Sequence, residues 1–128
     1  LVVRHENGRP QAYCHIGTGN YHSGTAQVYS DLGLLTANRE IGREVIQLFH
    51  SLTGHAPDQT YERLLVAPRN MRRMFYELIR REVAHQEAGR QGRIVAQMNA
   101  LDDPGLIQEV YRASQAGVQI DVIVRGHS

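Results

Sequence analysis

Lysine is absent from this chain, and all 14 of its basic residues are arginine. Recognition of phosphate or carboxylate therefore falls to guanidinium groups, which can grip two oxygens at once, although coding bias accounts for the missing lysine equally well. Cysteine is almost absent too. Cys14 alone cannot form an internal disulfide, which is compatible with a reducing cytosol. No apolar run approaches the ~18 residues of a membrane-spanning helix, and these residues carry no signal-peptide pattern. The expectation is a cytoplasmic protein, with peripheral membrane association left open. A formal net charge of +1 gives no bulk steering toward DNA, RNA or an acidic membrane. Internal repeats and low-complexity tracts are missing as well. What remains is 128 residues of 41% hydrophobic content, the size of one ordinary domain or parts of two. That is enough for a core, though a unit of this length buries only about two-thirds of its unfolded surface.

Both ends read as cut. The chain opens on an apolar extended run from Leu1 to His5 and closes on another, Gln119 to Arg125. Natural domains rarely leave terminal strands as raw edges, so the expectation is an internal piece of a longer protein. The first half predicts strands over 1–5 and 11–16, joined at Asn7-Gly8, a strong hairpin signal. Residues 28–36 read as extended. Residues 38–53 carry Ile41, Val45, Leu48, Phe49 and Leu52 at helical spacing, with Asn38 as N-cap and Gly54 past the end. The polar segment 55–60 reads as a linker. Beyond it the order predicts a strand at Arg63–Ala67, a helix over 69–88 stopped by Gly89, and a strand over 93–98. Its inward residues are Met71, Phe75, Leu78, Ile79 and Val83. A helix then opens at Asp102/Asp103, with Asp as cap and Pro104 in its first turn, runs through Gln115 and is ended by Gly117, and a last strand covers 118–125. A βαβαβ order implies a parallel sheet. The fold class is α/β, a mixed sheet with a hairpin and helix in the first half and a βαβαβ unit in the second.

The run His15-Ile-Gly-Thr-Gly-Asn-Tyr21 carries the most chemistry. Gly17 and Gly19 flank Thr18, so backbone N–H groups and the Thr18 hydroxyl can crowd against a ligand oxygen with no Cβ in the way. Asn20 adds an amide that can donate to the same oxygen or orient an imidazole. His15 brings a group that titrates near neutral pH, and strand alternation places Tyr13, His15 and Gly17 on one face, Cys14 and Ile16 on the other. On the residues alone two readings stand: an anion pocket with an acid–base partner, or a glycine-rich strand-end loop beside an ordinary histidine.

The longer block resembles type-1 polyphosphate kinase, whose members carry HxGTGNYN…TA…YTDxxLLTA. The similarity continues through Glu40-Ile-Gly, Leu48-Phe49, Leu52-Thr-Gly54, Leu64-Leu-Val-Ala-Pro68, Met71-Arg72, Arg81-Glu82, Met98-Asn-Ala-Leu101, Ala113-Ser114 and Val124-Arg-Gly126. GTGN also resembles the GSxN part of the phospholipase D signature. The resemblance implies that residues 1–60 are the C-terminal part of a first phospholipase D-like catalytic domain and 61–128 the N-terminal part of a second. It implies reversible transfer of the ATP γ-phosphoryl to inorganic polyphosphate through a phosphohistidine in an HxK element outside these residues, with ATP/ADP and polyphosphate as partners. A homo-oligomeric parent is left open, and the isolated 128 residues are expected to be inactive. His15 becomes a supporting histidine. Tyr29 maps onto the tyrosine that stacks on adenine, and a flat amphipathic ring suits that task. Arg125 maps onto an arginine that contacts nucleotide phosphates, and it ends a strand where open α/β sheets bind ligands. Magnesium is implied, with ligands outside these residues. His127 stands where the family usually has a shorter residue.

Other residues read more plainly. Asp31 can pair with an arginine or orient a histidine, and a structural role is equally open. His22 reads as loop polarity, and His5, His50, His55 and His85 have no metal-site spacing. The arginines at 72, 73, 80 and 81 read mostly as a solvated helix face, one or two of which could line the path of an anionic polymer. Two alternative functions are a phospholipase D-type phosphodiesterase and a non-catalytic structural module.

Overall fold

The computed structural model describes residues 1–54 and 59–126. The linker expected over 55–60 lies mostly outside the described residues, as does His127. The chain divides into two compact units, Leu1–Leu65 and Val66–Ser128.

In the first unit β1 (Val2–Glu6) and β2 (Arg9–Gly17) form an antiparallel hairpin with Val2 opposite Tyr13 and Glu6 opposite Arg9. Asn7 and Gly8 both adopt positive φ, 51° and 74°, the tight turn whose twist matches the strands it joins. The short β3 (Gly33–Thr36) pairs antiparallel with the end of β2, giving the order β1-β2-β3. The extended run expected over 28–36 therefore contracts to β3. Ahead of it one helical turn, α1 (Ser23–Ala26), is capped where the Thr25 N–H donates to His22 Nδ1 at 3.3 Å. A cap of this kind leaves 27–32 as an irregular connection.

Helix α2 (Arg39–Leu52) covers the inward face of β2. Asn38 Oδ1 accepts from the Glu40 and Ile41 N–H groups at 2.9 and 3.1 Å, satisfying donors that the first turn cannot. Gly42 lies so close to β2 that a Cβ there would come within 2.8 Å of the Ala12 Cβ. Cys14 and Val45 are buried between the two elements. The periodic stripe was expected to run on through Phe49 and Leu52, but both stay exposed.

Glu44 is 1% exposed on α2. Its carboxylate accepts four backbone hydrogen bonds, from the N–H groups of Glu62, Arg63 (to both oxygens) and Leu64, at 2.8 to 3.1 Å. Burial pushes the carboxyl upward, yet the donations from Glu62, Leu64 and Arg63 together hold it below the ordinary range. The same bonds explain why no strand forms at Arg63–Ala67. Three successive N–H groups converge on one carboxylate and cannot alternate across a ladder.

The second unit is built from α3 (Met71–Glu87), β4 (Arg93–Met98), α4 (Pro104–Gln115) and β5 (Gln119–Val124). β4 and β5 are parallel, Arg93 opposite Gln119 and Met98 opposite Val124. Among the described residues the expected βαβαβ unit is thus one βαβ crossover preceded by a helix. Asp103 caps α4 through the Gly105 and Leu106 N–H groups. Ala113 and Val118 are buried at the centre, while Phe75, expected inward, is 41% exposed. Arg80 and Arg112 both donate to the buried carboxylate of Glu109, which locks α3 to α4.

Candidate functional site

β2 presents His15 on the face opposite buried Cys14, as its alternation requires. The register sets Gly17 opposite Gly33 at the end of the β2–β3 ladder, and the imidazole lies over that glycine pair. A Cβ at Gly33 would fall 2.9 Å from His15 Cε1, and one at Gly17 3.3 Å from Nε2. The Tyr21 phenol reaches back to His15 Nε2, the two rings tilted by 59° with centroids 5.7 Å apart. His15 is thus held from below by two residues without side chains and from the side by a hydroxyl.

Thr18 differs from its expected part. Its N–H donates to the Leu32 carbonyl at 2.9 Å, and its Oγ1 accepts from the Leu32 N–H at 2.9 Å. The hydroxyl lies 3.3 Å from both Asp31 Oδ1 and the Leu32 carbonyl. These bonds fasten the loop to the approach of β3, so Thr18 braces the loop instead of pointing its donors at a ligand. Gly19 passes directly over the Asp31 carboxylate, where any Cβ would collide. An anion near this loop meets repulsion on the Asp31 side, which leaves the side of His15 and Asn20. An apolar hollow of about 440 Å³ adjoins His15, lined in part by Val2, Tyr13, Leu35 and Thr36. Tyr13 donates to the Glu6 carboxylate, a hydrogen bond that raises its phenol above the usual value and keeps it protonated.

His15, Gly17, Thr18, Gly19 and Asp31 therefore come together in one cluster. Tyr29 leaves α1 on a turn, its N–H bonded to the Thr25 carbonyl at 3.1 Å and its side chain half exposed. It is on no strand, so period-two alternation does not put it and Asp31 on a common face.

In the second unit Arg125 follows β5 directly. Its N–H donates to the Met98 carbonyl at 3.2 Å and the Gly126 N–H to the Asn99 carbonyl at 2.7 Å, so the parallel pairing runs one step past the strands. Arg125 stands at their carboxyl ends, exposed. The arginines of α3 are engaged with carboxylates. Arg72 holds Asp103 at 2.7 Å, Arg73 holds Glu77, Arg80 holds Glu109 and Arg81 holds Glu82. Arg72 and Arg80 also lie over the Tyr76 ring, 5.1 and 5.4 Å from its centroid. The Arg72 guanidinium draws the Asp103 carboxyl down to about 2. Among the described residues no group of three or more His, Cys, Asp or Glu could hold a metal ion, and no helix is long and apolar enough to cross a membrane.

Three residues central to this geometry carried no role in the sequence reading: Tyr21, Gly33 and Glu44. A glycine opening β3 opposite the glycine closing β2 was a usable signal for Gly33, and the tyrosine directly after GTGN for Tyr21. For Glu44 the apolar stripe of α2 signalled burial but not its partners.

Comparison with known proteins gives concordant results. Residues 1–58 match the family model of polyphosphate kinase C-terminal domain 1, and residues 64–128 that of polyphosphate kinase C-terminal domain 2. The chain is 54% identical over 127 residues to a polyphosphate kinase of Mycobacterium avium, covering 98% of this chain and 17% of that protein. To one of Prochlorococcus marinus it is 51% identical over 126 residues, covering 98% and 18%. The crystal structure of polyphosphate kinase from Porphyromonas gingivalis superimposes with a TM-score of 0.87 at 43% identity, over 98% of this chain and 20% of that one. The chain thus spans a fifth or less of the length of these relatives. With both of its halves matched and half its residues identical along nearly its whole length, this chain belongs to the polyphosphate kinase family, as its C-terminal domains 1 and 2.

Proposed function

We propose that these residues form part of the nucleotide- and phosphate-binding apparatus of an ATP–polyphosphate phosphotransferase. The observation that carries this reading is the loop after β2, where a braced GTGN turn lies beside an imidazole held on a bed of two glycines. The backbone N–H groups of Gly19 and Asn20, the Asn20 amide and His15 hold phosphoryl oxygens. Thr18 and Asp31 keep the loop in shape, Tyr29 stacks on adenine, and Arg125 neutralises charge on the phosphates. The two units are parts of successive phospholipase D-like domains.

The nucleophile is a histidine outside these residues. Its nitrogen bonds to the γ-phosphorus as the bond to the β–γ bridging oxygen breaks and ADP leaves. A terminal oxygen of polyphosphate then attacks the same phosphorus and releases the imidazole. Each step asks the protein for positioning and for charge stabilisation more than for covalent chemistry. A magnesium ion does not fit the described residues alone, which gather no set of ligands, and no step here depends on one. The 128 residues by themselves bind nucleotide weakly and transfer no phosphate.

The stacking assignment is tested in a full-length polyphosphate kinase carrying this segment. Tyr29→Ala should weaken ATP binding by roughly 1–3 kcal/mol, the range for a base on an aromatic ring, and Tyr29→Phe should retain most of the affinity. Isothermal titration of all three proteins with ATP decides it. Equal losses for both variants assign the hydroxyl, not the ring, to the work.

A further inference from the structure

An open hollow of about 450 Å³ lies along the first half of α3 in the second unit, lined by Pro68, Arg69, Arg72, Arg73, Tyr76 and Arg80. Four of these residues are arginine and none is acidic. Positions 72, 76 and 80 follow one another at single-turn spacing on one helix face, so Arg72 and Arg80 stand about 12 Å apart along the axis. The side chains of Arg72, Arg73 and Arg80 are each more than 60% exposed. Pairing with carboxylates does not exhaust them. Arg72 gives Nε and Nη2 to Asp103, and Arg80 gives the same two nitrogens to Glu109. A guanidinium has five N–H groups, so each retains donors for a second partner. The carboxylates act as braces. So does Tyr76, whose ring lies under both guanidinium groups and whose hydroxyl reaches Gly105 in the first turn of α4, where a Cβ has no room. Groups held in this way lose little side-chain freedom when an anion binds.

We propose that this hollow docks a length of the condensed phosphate chain, with Arg69, Arg72, Arg73 and Arg80 holding successive phosphoryl groups. The assignment rests on the reading of these residues as part of an ATP–polyphosphate phosphotransferase. It goes beyond that reading by giving the polymer a site that shares no residue with the GTGN loop, Tyr29 or Arg125. Reach selects the polymer: a single phosphate meets only the arginine or two beside it, whereas a linear polyanion spans the row. Negative charge recurs at every phosphorus of that ligand, and guanidinium groups recur at each turn of the helix. RNA fits less well. The ring of Tyr76 is already engaged by two guanidinium groups, and the hollow has no second aromatic side chain on which a base can stack.

The test uses a full-length polyphosphate kinase carrying this segment and its Arg69→Gln/Arg73→Gln variant, which keeps the α3–α4 pairs of Arg72 and Arg80. Isothermal titration with long-chain polyphosphate should show affinity about tenfold weaker in the variant, the scale for two exposed ionic contacts. Added salt should shrink the difference. Tripolyphosphate, too short to span the row, should lose less, and ATP should bind both proteins alike, with coincident melting curves. Where the double variant melts early, Arg73→Gln alone carries the comparison at about threefold, because its partner Glu77 is exposed on the same helix. Unchanged affinity for long-chain polyphosphate overturns the proposal and leaves the phosphotransferase reading standing. Equal losses for tripolyphosphate and the long chain also overturn it, in favour of a small-anion site, and an equal loss for polyuridylate does so in favour of nucleic acid. A native enzyme that binds ATP but no polyphosphate overturns the phosphotransferase reading itself, and the proposal with it.

Discussion

In a full-length polyphosphate kinase carrying this segment, Arg125→Ala is expected to lower kcat by about two to three decades, the scale for deleting one donor aimed at developing charge. KM for ATP should rise much less, because an interaction made equally in ground and transition states alters KM alone. The expectation starts from position. Arg125 stands one residue beyond β5, at the carboxyl ends of two parallel strands, where open α/β sheets bind their ligands. Its backbone is tied to Met98, so the Cα is fixed while the side chain is exposed. A guanidinium remains charged at any working pH and can take two phosphate oxygens together. Arg125→Lys should recover only part of the loss, since an ammonium cannot fork. Steady-state kinetics with a melting curve for each protein tests this. A near-native kcat with a raised KM reduces Arg125 to a docking contact, and a collapsed melting temperature makes it structural.

The second large effect concerns stability. Glu44→Gln should cost the chain about 2–4 kcal/mol, in the range for leaving buried partners of a charged group unsatisfied. The amide keeps the shape of the carboxylate but turns one acceptor into a donor that faces the N–H groups of residues 62–64. Glu40→Gln provides the comparison. Glu40 also binds Arg63, at 2.7 Å, but both side chains are more than half exposed, and such pairs contribute at most about 1 kcal/mol. Urea denaturation followed by circular dichroism should separate the two variants clearly, and equal costs would show that the buried carboxylate is no anchor. The pH dependence has a definite sign. The Glu44 carboxyl is held below its ordinary range in the folded chain, so its contribution is fully present above that range and is lost as pH falls through the folded value. Glu44→Gln should accordingly flatten the acid side of the stability profile.

Glu44 also shows where a sequence stops being readable. The apolar run Leu64 to Ala67 has the composition of a strand, and nothing local forbids one. What forbids it is an acceptor 18 to 20 residues earlier, a glutamate whose place on the apolar stripe of α2 turns it inward but does not say which N–H groups it meets. Features decided within a few residues were legible. Asn7-Gly8 turned the hairpin, Asn38 and Asp103 capped their helices, and Gly54, Gly89 and Gly117 took the positive φ values that end them. The GTGN loop was legible as a loop, and His15 as its neighbour. The use of the Thr18 hydroxyl was not, because it depends on Leu32 arriving beside it through the β2–β3 register. The same register places Gly33 under His15, and the α1 turn with its His22 cap takes Tyr29 off the strand that its surroundings suggested.

The central claim is that this segment binds the phosphates and that the phosphorylated histidine lies elsewhere in the enzyme. The most direct measurement is to incubate a full-length polyphosphate kinase carrying this segment with γ-labelled ATP, digest it under alkaline conditions and map the acid-labile label by mass spectrometry. The account predicts label on a histidine outside these 128 residues and none on His15 or His22; acid-labile phosphate on either of those two residues would contradict it.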